Sequence, residues 1–126
     1  MKKFKNAILG ILVASLLGFS NVCGATTWVN GIETDNSDID WDRDSVYYYD
    51  SETVFVYLKH RVKDIQTTYI QEVYIVRGEV AKVAYVWTYD ANGNLKKEAP
   101  SNYLIPFAGT RLAPMYNQII AYANSR

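Results

Sequence analysis

The sequence predicts an α+β protein: a single, mostly antiparallel β-sheet of about six strands with a C-terminal α-helix packed on one face. Two observations predict this fold. Segments rich in β-branched and aromatic residues, separated by short polar turns, fill most of the chain after residue 25, as expected of strands. The last segment instead carries apolar residues at helical spacing. The sheet is the only large apolar surface against which that helix can be buried.

The longest predicted strand begins at Val80 and ends at a turn at Asn92-Gly93. Strict alternation assigns its side chains to two faces, both largely apolar, which is typical of a strand in the middle of a sheet. One face would hold Ala81, Val83, Tyr85, Trp87 and Tyr89, and the other Val80, Lys82, Ala84, Val86 and Thr88. Asn-Gly favours a two-residue hairpin turn, in which both residues have positive backbone angles.

The other predicted strands lie on both sides of this one. They are Thr26–Ile32 with a bulge or end at Gly31, the acidic alternation from Asp38, Val54–Val62, Thr67–Val76 and a short edge strand Leu95–Glu98 that Pro100 ends. Thr67–Val76 also fits helical spacing, but its density of β-branched and aromatic residues favours a strand. In the acidic alternation we expect Ile39 and Trp41 to point inward and the aspartates to face water.

The C-terminal segment predicts one amphipathic helix. Thr110 is a suitable N-cap, and Pro114 falls in the first turn, where a missing N–H costs little. The apolar face consists of Leu112, Met115, Tyr116, Ile119, Ile120 and Ala123. The loop before this helix is expected to run from Ser101 to Gly109.

Residues 1–25 are predicted to be a secretory signal peptide, followed by one domain over residues 26–126. A basic start precedes a 13-residue apolar run, Ala7 to Phe19, which is too short for a normal membrane span. We expect cleavage after Ala25, with cleavage after Gly24 as the alternative. Lipidation of Cys23 is less favoured because Val22, rather than a small residue, precedes it, and an uncleaved anchor is the third option. The protein is therefore expected to be exported: periplasmic, on the cell surface or secreted.

Removal of the leader changes the composition of the chain in two ways. Cys23, the single cysteine, is lost, so no disulfide is expected, although about 100 residues suffice for a hydrophobic core. The basic residues fall to ten against 13 acidic ones, a net charge of about −3. This balance argues against nucleic acid as a partner, because phosphate binding requires a basic surface.

No catalytic or cofactor-binding constellation is expected. His60 is the only histidine and shares a predicted strand face with apolar residues, which favours a packing role over a catalytic one. A pair of carboxylates for glycoside cleavage would have to be assembled by the fold, and nothing in the sequence marks such a pair. There is no phosphate-binding loop, metal-ligand spacing or redox motif.

The acidic run Asp38, Asp40, Asp42 and Asp44 does not match a helix-loop-helix calcium site. That loop requires glycine at position 6 and glutamate at position 12, and neither possible register supplies them. An irregular calcium site stays open, but a solvated strand face followed by a turn is favoured, and we expect no bound metal.

The run Tyr47, Tyr48 and Tyr49 provides the candidate partner contacts. In an extended chain at least one of three successive tyrosines faces outward. A tyrosine cluster beside the acidic run could contact protein or glycan. Sheet packing is nevertheless the favoured explanation for most of the 11 tyrosines.

The layout resembles the surface-adhesin protein E-like family of small exported bacterial proteins. The matching pieces are Trp28, Asp42-Arg43-Asp44-Ser45-Val46, Val54-Phe55-Val56-Tyr57, Tyr89-Asp90-Ala91-Asn92-Gly93, and Ile105-Pro106 with the Thr110-capped helix. The resemblance implies the same sheet and helix. It also implies a surface protein that engages extracellular-matrix, serum or envelope proteins and can form a homodimer. Family members often tie the helix to the sheet with a disulfide, for which this helix has no cysteine.

We therefore expect an exported, non-enzymatic, adhesin-like binding domain with an unidentified protein partner. The alternatives are a small exported hydrolase that uses carboxylates and a structural envelope protein that self-associates through a sheet edge. Apolar surface of the Val80–Asp90 strand that the helix leaves uncovered is the expected place of binding.

Overall fold

The computed structural model describes residues 26–126 and confirms the predicted α+β fold. Within this range, seven strands, a single 3-10 turn and one helix follow one another. The strands are β1 (Trp28–Glu33), β2 (Ser37–Asp42), β3 (Tyr47–Asp50), β4 (Thr53–Val62), β5 (Thr67–Val76), β6 (Val80–Tyr89) and β7 (Leu95–Pro106), and the helix α1 is Ala113–Asn124. The predicted signal peptide and Cys23 lie outside the described residues.

All strand pairs are antiparallel, in the order β1-β2-β4-β5-β6-β7. Both β2 and β3 pair with β4, β2 along its second half and β3 along its first. The 3-10 turn Arg43–Ser45 separates β2 from β3. At this break the Ser45 hydroxyl accepts the backbone N–H of Tyr57 at 2.9 Å and donates to the Asp42 carbonyl at 2.8 Å. The serine therefore gives the Tyr57 N–H an acceptor where the chain leaves the sheet.

The hydrophobic core lies between one face of the sheet and α1. The predicted helix face is confirmed: Met115, Tyr116, Ile119 and Ala123 are buried, and Leu112 and Ile120 pack against them. The sheet contributes buried side chains from four strands, namely Trp41, Val54, Val56, Leu58, Val73, Ile75, Ala81 and Val83. Ring contacts extend the core, since Phe107 stacks on Tyr116 at a centroid distance of 4.6 Å. Ile39 and Trp41 point inward as expected.

A β-bulge in β6 corrects the predicted division of that strand into two faces. Val83 pairs with Val73 and Tyr85 pairs with Glu72, so Ala84 is one residue more than β5 supplies. The extra residue reverses the alternation. Ala81 and Val83 therefore lie under the helix, whereas Tyr85 and the aromatic residues after it lie on the opposite face. A strict period of two could not anticipate this change.

The turn after β6 has three residues rather than the predicted two. The Gly93 N–H donates to the Asp90 carbonyl and the Asp90 N–H to the Asn94 carbonyl, both at 3.0 Å. Of the turn residues only Gly93 has a positive φ, +82°. The Asp90 carboxylate accepts the N–H groups of Asn92 and Asn94 at 2.9 Å each, which favours the longer turn.

Strand β7 continues to Pro106, well beyond the end that Pro100 predicted. Pro100 pairs with Tyr85 at the outermost strand of the sheet. An edge strand tolerates proline because only one side of its backbone has to donate to a neighbour. The segment predicted as a loop from Ser101 therefore belongs largely to the sheet.

The helix begins after Leu112, two residues later than a Thr110 N-cap would place it. The Thr110 hydroxyl instead donates to the Phe107 carbonyl at 2.6 Å and accepts the Leu112 N–H at 3.2 Å. Thr110 therefore orders the turn that precedes the helix. Among residues 26–126, no helix is long and apolar enough to cross a membrane.

Gly31 allows α1 to approach the edge of the sheet closely. A β-bulge lies between Asn30 and Ile32, as the glycine suggested. A Cβ atom at Gly31 would stand 2.4 Å from Met115 Sδ and 3.0 Å from the Ile39 carbonyl oxygen. Both separations are shorter than van der Waals contact, so a side chain at residue 31 would have to displace Met115 and press on the backbone at Ile39.

We expect Gly31→Ala to lower the free energy of unfolding by about 1–3 kcal/mol, because the added methyl group overpacks the contact with Met115. Denaturant unfolding measures this value. In a double-mutant cycle with Met115→Ala, the two substitutions should cost less together than the sum of their separate costs. Additive costs would contradict the proposed contact.

Candidate functional site: an aromatic sheet face

Eight aromatic side chains gather on the sheet face opposite the helix. We call this surface the aromatic face. It consists of Tyr47 and Tyr49 from β3, Phe55 and Tyr57 from β4, Tyr74 from β5, and Tyr85, Trp87 and Tyr89 from β6. The alternation of β4 and β5 provides its first half, and the bulge at Ala84 provides the second by turning Tyr85 and Trp87 away from the helix.

The rings of the aromatic face contact one another across four strands. We call the end of the aromatic face that holds Tyr47 and Phe55 its lower end, and the end that holds Trp87 and Tyr89 its upper end. The Phe55 ring centroid lies 5.2 Å from that of Tyr47, 5.1 Å from that of Tyr57 and 5.1 Å from that of Tyr74. Its neighbours leave Phe55 only 6% exposed. These tilted and edge-on contacts, typical of aromatic pairs, hold the rings in defined positions.

The upper end of the aromatic face carries two carboxylates. Glu72 lies on β5 directly opposite Tyr57 on β4 and Tyr85 on β6. The Tyr85 hydroxyl donates to Glu98 Oε1 at 2.8 Å. Burial, and after it the charge of Glu72, raises the pKa of the Tyr74 phenol to about 12. Burial and the charge of Glu98 likewise raise the pKa of Tyr89.

Two cations at one side of the same face have partners within the chain. The Lys59 ammonium lies 4.6 Å from the centroid of the Trp28 ring, a cation–π contact. Burial lowers the pKa of Lys59, and the neighbouring Asp40 opposes that effect. Arg61 forms an ion pair with Asp38.

The structure separates the three tyrosines predicted as partner contacts. Tyr47 and Tyr49 belong to the aromatic face and are 50% and 61% exposed. Tyr48 points to the other side of the sheet, where its hydroxyl donates to the Asn124 side chain at the end of α1. Two of the three candidates are therefore brought together, and Tyr48 contacts the helix.

The acidic run is only partly solvated, which corrects the expectation that its aspartates face water. Asp38 and Asp42 are buried. Asp38 pairs with Arg61 and, at 3.2 Å, with Lys63. These partners hold the pKa of Asp38 below its usual value: the Arg61 hydrogen bond is the largest cause, and it outweighs the opposing effect of burial. The remaining two aspartates accept hydrogen bonds, Asp40 from Asn30 at 3.2 Å and Asp44 from Thr27 at 2.7 Å.

The Asp42 side chain caps the N-terminal end of the 3-10 turn between β2 and β3. Its Oδ1 accepts the N–H of Asp44 at 3.0 Å and that of Thr27 at 3.3 Å. Burial raises the pKa of Asp42 to about 6, against the opposing effect of these two N–H groups. The carboxyl therefore changes its charge at a mildly acidic pH while it caps a structural turn.

His60 lies at the margin of the helix side of the sheet, which agrees with the predicted packing role. Its Nε2 is 3.3 Å from Ser37 Oγ, and its ring centroid is 6.1 Å from that of Tyr69. Burial lowers the pKa of His60. Within residues 26–126, no three His, Cys, Asp or Glu side chains are grouped closely enough to hold a metal ion.

Sequence reasoning missed most of the aromatic face. It singled out Tyr47, Tyr48 and Tyr49 because they are consecutive, whereas the larger cluster comes from alternate positions on three further strands. The available signal was the repeated aromatic residue at every second position, as in Phe55 and Tyr57 or Tyr85 and Trp87. Pairing register, which brings these positions together, is not visible in one strand alone.

No protein-family profile, curated protein or solved structure matches the chain. The fold and the aromatic face are therefore the basis for a proposal about function.

We expect Asp42→Asn to flatten the pH dependence of stability between about pH 4 and 6. With a folded-state pKa of about 6 against 3.8 in the unfolded chain, folding takes up a proton in this window. The free energy of unfolding should therefore fall as the pH rises through it, by about 1–2 kcal/mol after allowance for partial exposure of the carboxyl.

The measurement is denaturant unfolding of both proteins across this pH range, with Asp35→Asn in the exposed β1–β2 turn as the control. The lowered pKa of His60 acts in the opposite direction, so the difference between the Asp42→Asn and wild-type curves is the relevant quantity. Parallel curves would contradict the assignment.

Proposed function

We propose that this chain is an exported, non-enzymatic binding domain of the surface-adhesin protein E-like kind, and that it contacts a host or envelope protein through the aromatic face. The observation that carries the proposal is the position of the eight aromatic side chains opposite the single helix of residues 26–126. Tyrosine and tryptophan are enriched where proteins bind proteins. An apolar surface with a polar rim is typical of an interaction site.

The packing of the aromatic face supports a preorganised binding surface. Ring contacts link Tyr49 to Tyr74 at 5.1 Å and Tyr57 to Trp87 at 6.3 Å. Aromatic side chains have few rotatable bonds, and rings already held by neighbours lose little further freedom on binding. The outer tyrosines Tyr47 and Tyr49 remain accessible at its margin.

Export is the second part of the proposal, and the N-terminal sequence supports it. The basic start, the 13-residue apolar run and the small residues Gly24 and Ala25 match the three regions of a secretory leader. The domain that follows is acidic overall, which favours a protein partner over nucleic acid.

We expect the protein accumulated by bacteria that express the full chain to begin at Thr26. Intact mass and N-terminal sequencing of the purified product measure this, and replacement of Leu12 by Arg in the apolar run is the control that should block processing. A product that keeps residues 1–25, or carries a lipid on Cys23, would contradict cleavage after Ala25.

We expect Trp87→Ala and Tyr49→Ala to weaken binding to the protein partner, Trp87→Ala by at least tenfold, because central aromatic residues supply most of the energy of an interface. Purified extracellular-matrix, serum and envelope proteins are tested by surface plasmon resonance. Tyr103→Ala is the matched control, since Tyr103 is 66% exposed and lies on the other side of the sheet, in register with Val83.

The variants are first compared by thermal unfolding, so that loss of fold is not taken for loss of binding. If every protein that binds the wild type also binds Trp87→Ala and Tyr49→Ala equally well, the aromatic face is not the contact surface.

A further inference from the structure

We propose that an open pocket beyond the upper end of the aromatic face binds a carboxylate of the partner protein. This inference rests on the proposed function and names the chemistry that the partner presents beside its contact with the rings. We call the site the carboxylate pocket. It has a volume of about 260 Å³ and is lined by Arg61, Lys63, Gln66, Thr68, Asp90 and Ala91.

The register places the carboxylate pocket next to the aromatic face. Arg61 on β4 is directly opposite Thr68 on β5, and Thr68 is directly opposite Tyr89 on β6. Directly opposed residues on neighbouring strands point to the same side of a sheet. Two strand spacings, about 10 Å, separate Tyr89 from Arg61, so a partner that lies on the Tyr89 ring can extend a side chain to the pocket.

A buried carboxylate holds the two cations of the pocket in place. Asp38 is 7% exposed and forms an ion pair with Arg61 and, at 3.2 Å, with Lys63. The Lys63 ammonium also donates to the Thr34 carbonyl at 2.9 Å. Because two cations share one carboxylate, this group of three side chains keeps a net positive charge, which attracts a further negative charge.

The pocket has hydrogen-bond donors for that negative charge. A guanidinium group has five N–H donors and an ammonium group has three, more than the contacts with Asp38 and Thr34 use. Gln66 adds a side-chain amide to the lining and Thr68 adds a hydroxyl, and both groups can donate. An ionised carboxylate only accepts, and its two oxygens can take several of these donors at once.

The acidic residue of the lining, Asp90, is held on the β6 side of the pocket. Its carboxylate accepts the N–H groups of Asn92 and Asn94 at 2.9 Å each, and it lies 4.0 Å from the Lys96 ammonium. The negative charge of Asp90 is therefore partly balanced within its own turn, whereas the cations on the β4 side face the ligand.

The backbone of Gln66 is an independent indication that the pocket binds a ligand. Its φ is +51°, in the left-handed region that residues other than glycine rarely adopt. The Gln66 N–H donates to the Lys63 carbonyl at 3.2 Å, a bond that glycine could make equally well. Because strained backbone positions are concentrated at ligand sites, a glutamine kept here in the wall of a pocket indicates a use for its side chain.

A carboxylate fits the pocket better than a phosphate group. It carries one negative charge, which matches the net charge of Arg61, Lys63 and Asp38. A phosphate monoester carries about −1.5 to −2 at pH 7, and the nearby Asp38 and Asp90 would repel the additional charge.

The test is a calorimetric titration of the full-chain product purified from the expressing cells with octa-glutamate that is acetylated and amidated at its ends. We expect binding although the chain after residue 25 is acidic overall, and none of octa-glutamine with the same ends. Octa-glutamine with a free C-terminus is the third peptide, and its binding would identify a chain-terminal carboxylate as the ligand. Arg61→Gln and Gln66→Gly should each weaken carboxylate binding at least fivefold.

Gln66→Gly separates binding from folding, because Arg61→Gln also removes a partner of the buried Asp38 and should lower the thermal midpoint. Glycine has no steric penalty at a positive φ, so the thermal midpoint of Gln66→Gly should not fall while its affinity does. The matched control is Arg77→Gly in the β5–β6 turn, where φ is +55°. It relieves the same strain and removes a cation, and it should change affinity less than twofold.

The carboxylate pocket would be overturned if neither octa-glutamate nor octa-glutamine with a free C-terminus bound. Equal losses in Gln66→Gly and Arg77→Gly would show general charge attraction, and tighter binding of inorganic phosphate than of either peptide would show a phosphate site. A protein ligand that requires Trp87 but binds Arg61→Gln and Gln66→Gly as tightly as the wild type would refute the pocket and leave the proposed function standing. Binding of protein ligands independent of every residue of the aromatic face would refute that function, whatever octa-glutamate does.

Discussion

The bulge at Ala84 determines what each face of the sheet presents, because it reverses the alternation of β6 in the middle of the strand. Before it, Ala81 and Val83 enter the core under α1. After it, Tyr85 and Trp87 join the aromatic face. Without the extra residue, these two large rings would share the face of the buried valines. The helix could then not approach the sheet as closely, and the aromatic face would lose its upper half.

The structure divides two kinds of apolar surface between the two faces of one sheet. The helix side is aliphatic at its centre, with Val56, Val73 and Ile119 fully buried. The opposite side is aromatic and only partly buried. Aliphatic side chains gain stability from complete burial, whereas tyrosine and tryptophan combine an apolar body with a polar tip and tolerate water at one edge. The aliphatic side chains therefore lie on the face that the helix covers, and the aromatic ones lie on the face that is only partly buried.

The sequence sufficed for the fold class, the strands β4 and β5, and the helix face, because each depends on a periodicity contained in one segment. The sequence-based predictions were wrong where the position or the hydrogen bonds of a single residue override a local sequence pattern. Pro100 did not end β7, since an edge strand requires donors on one side only. Asp90 lengthened the turn through its carboxylate. Thr110 ordered the turn before the helix rather than the helix itself.

The aromatic face was less predictable than the fold for a physical reason. Tyr47 and Tyr49 could be proposed because they are close in the sequence, but the aromatic face combines residues from four strands through their register. That register depends on the bulge in β6, and no local pattern announces a bulge. The prediction for the acidic run was wrong for the opposite reason. Its regular spacing suggested one solvated face, whereas Asp38 forms an ion pair and Asp42 caps a turn.

The outermost strands β1 and β7 constrain how another chain can pair with the sheet. On β7, Pro100 and Pro106 have no backbone N–H to offer, and on β1 the ladder is interrupted between Asn30 and Ile32. A regular strand added at either edge would lack part of its hydrogen bonds. Recognition by side chains can distinguish one partner sequence from another, whereas backbone pairing accepts almost any extended chain. The interrupted β1 ladder and the prolines of β7 therefore disfavour backbone pairing as the way in which another chain contacts these strands.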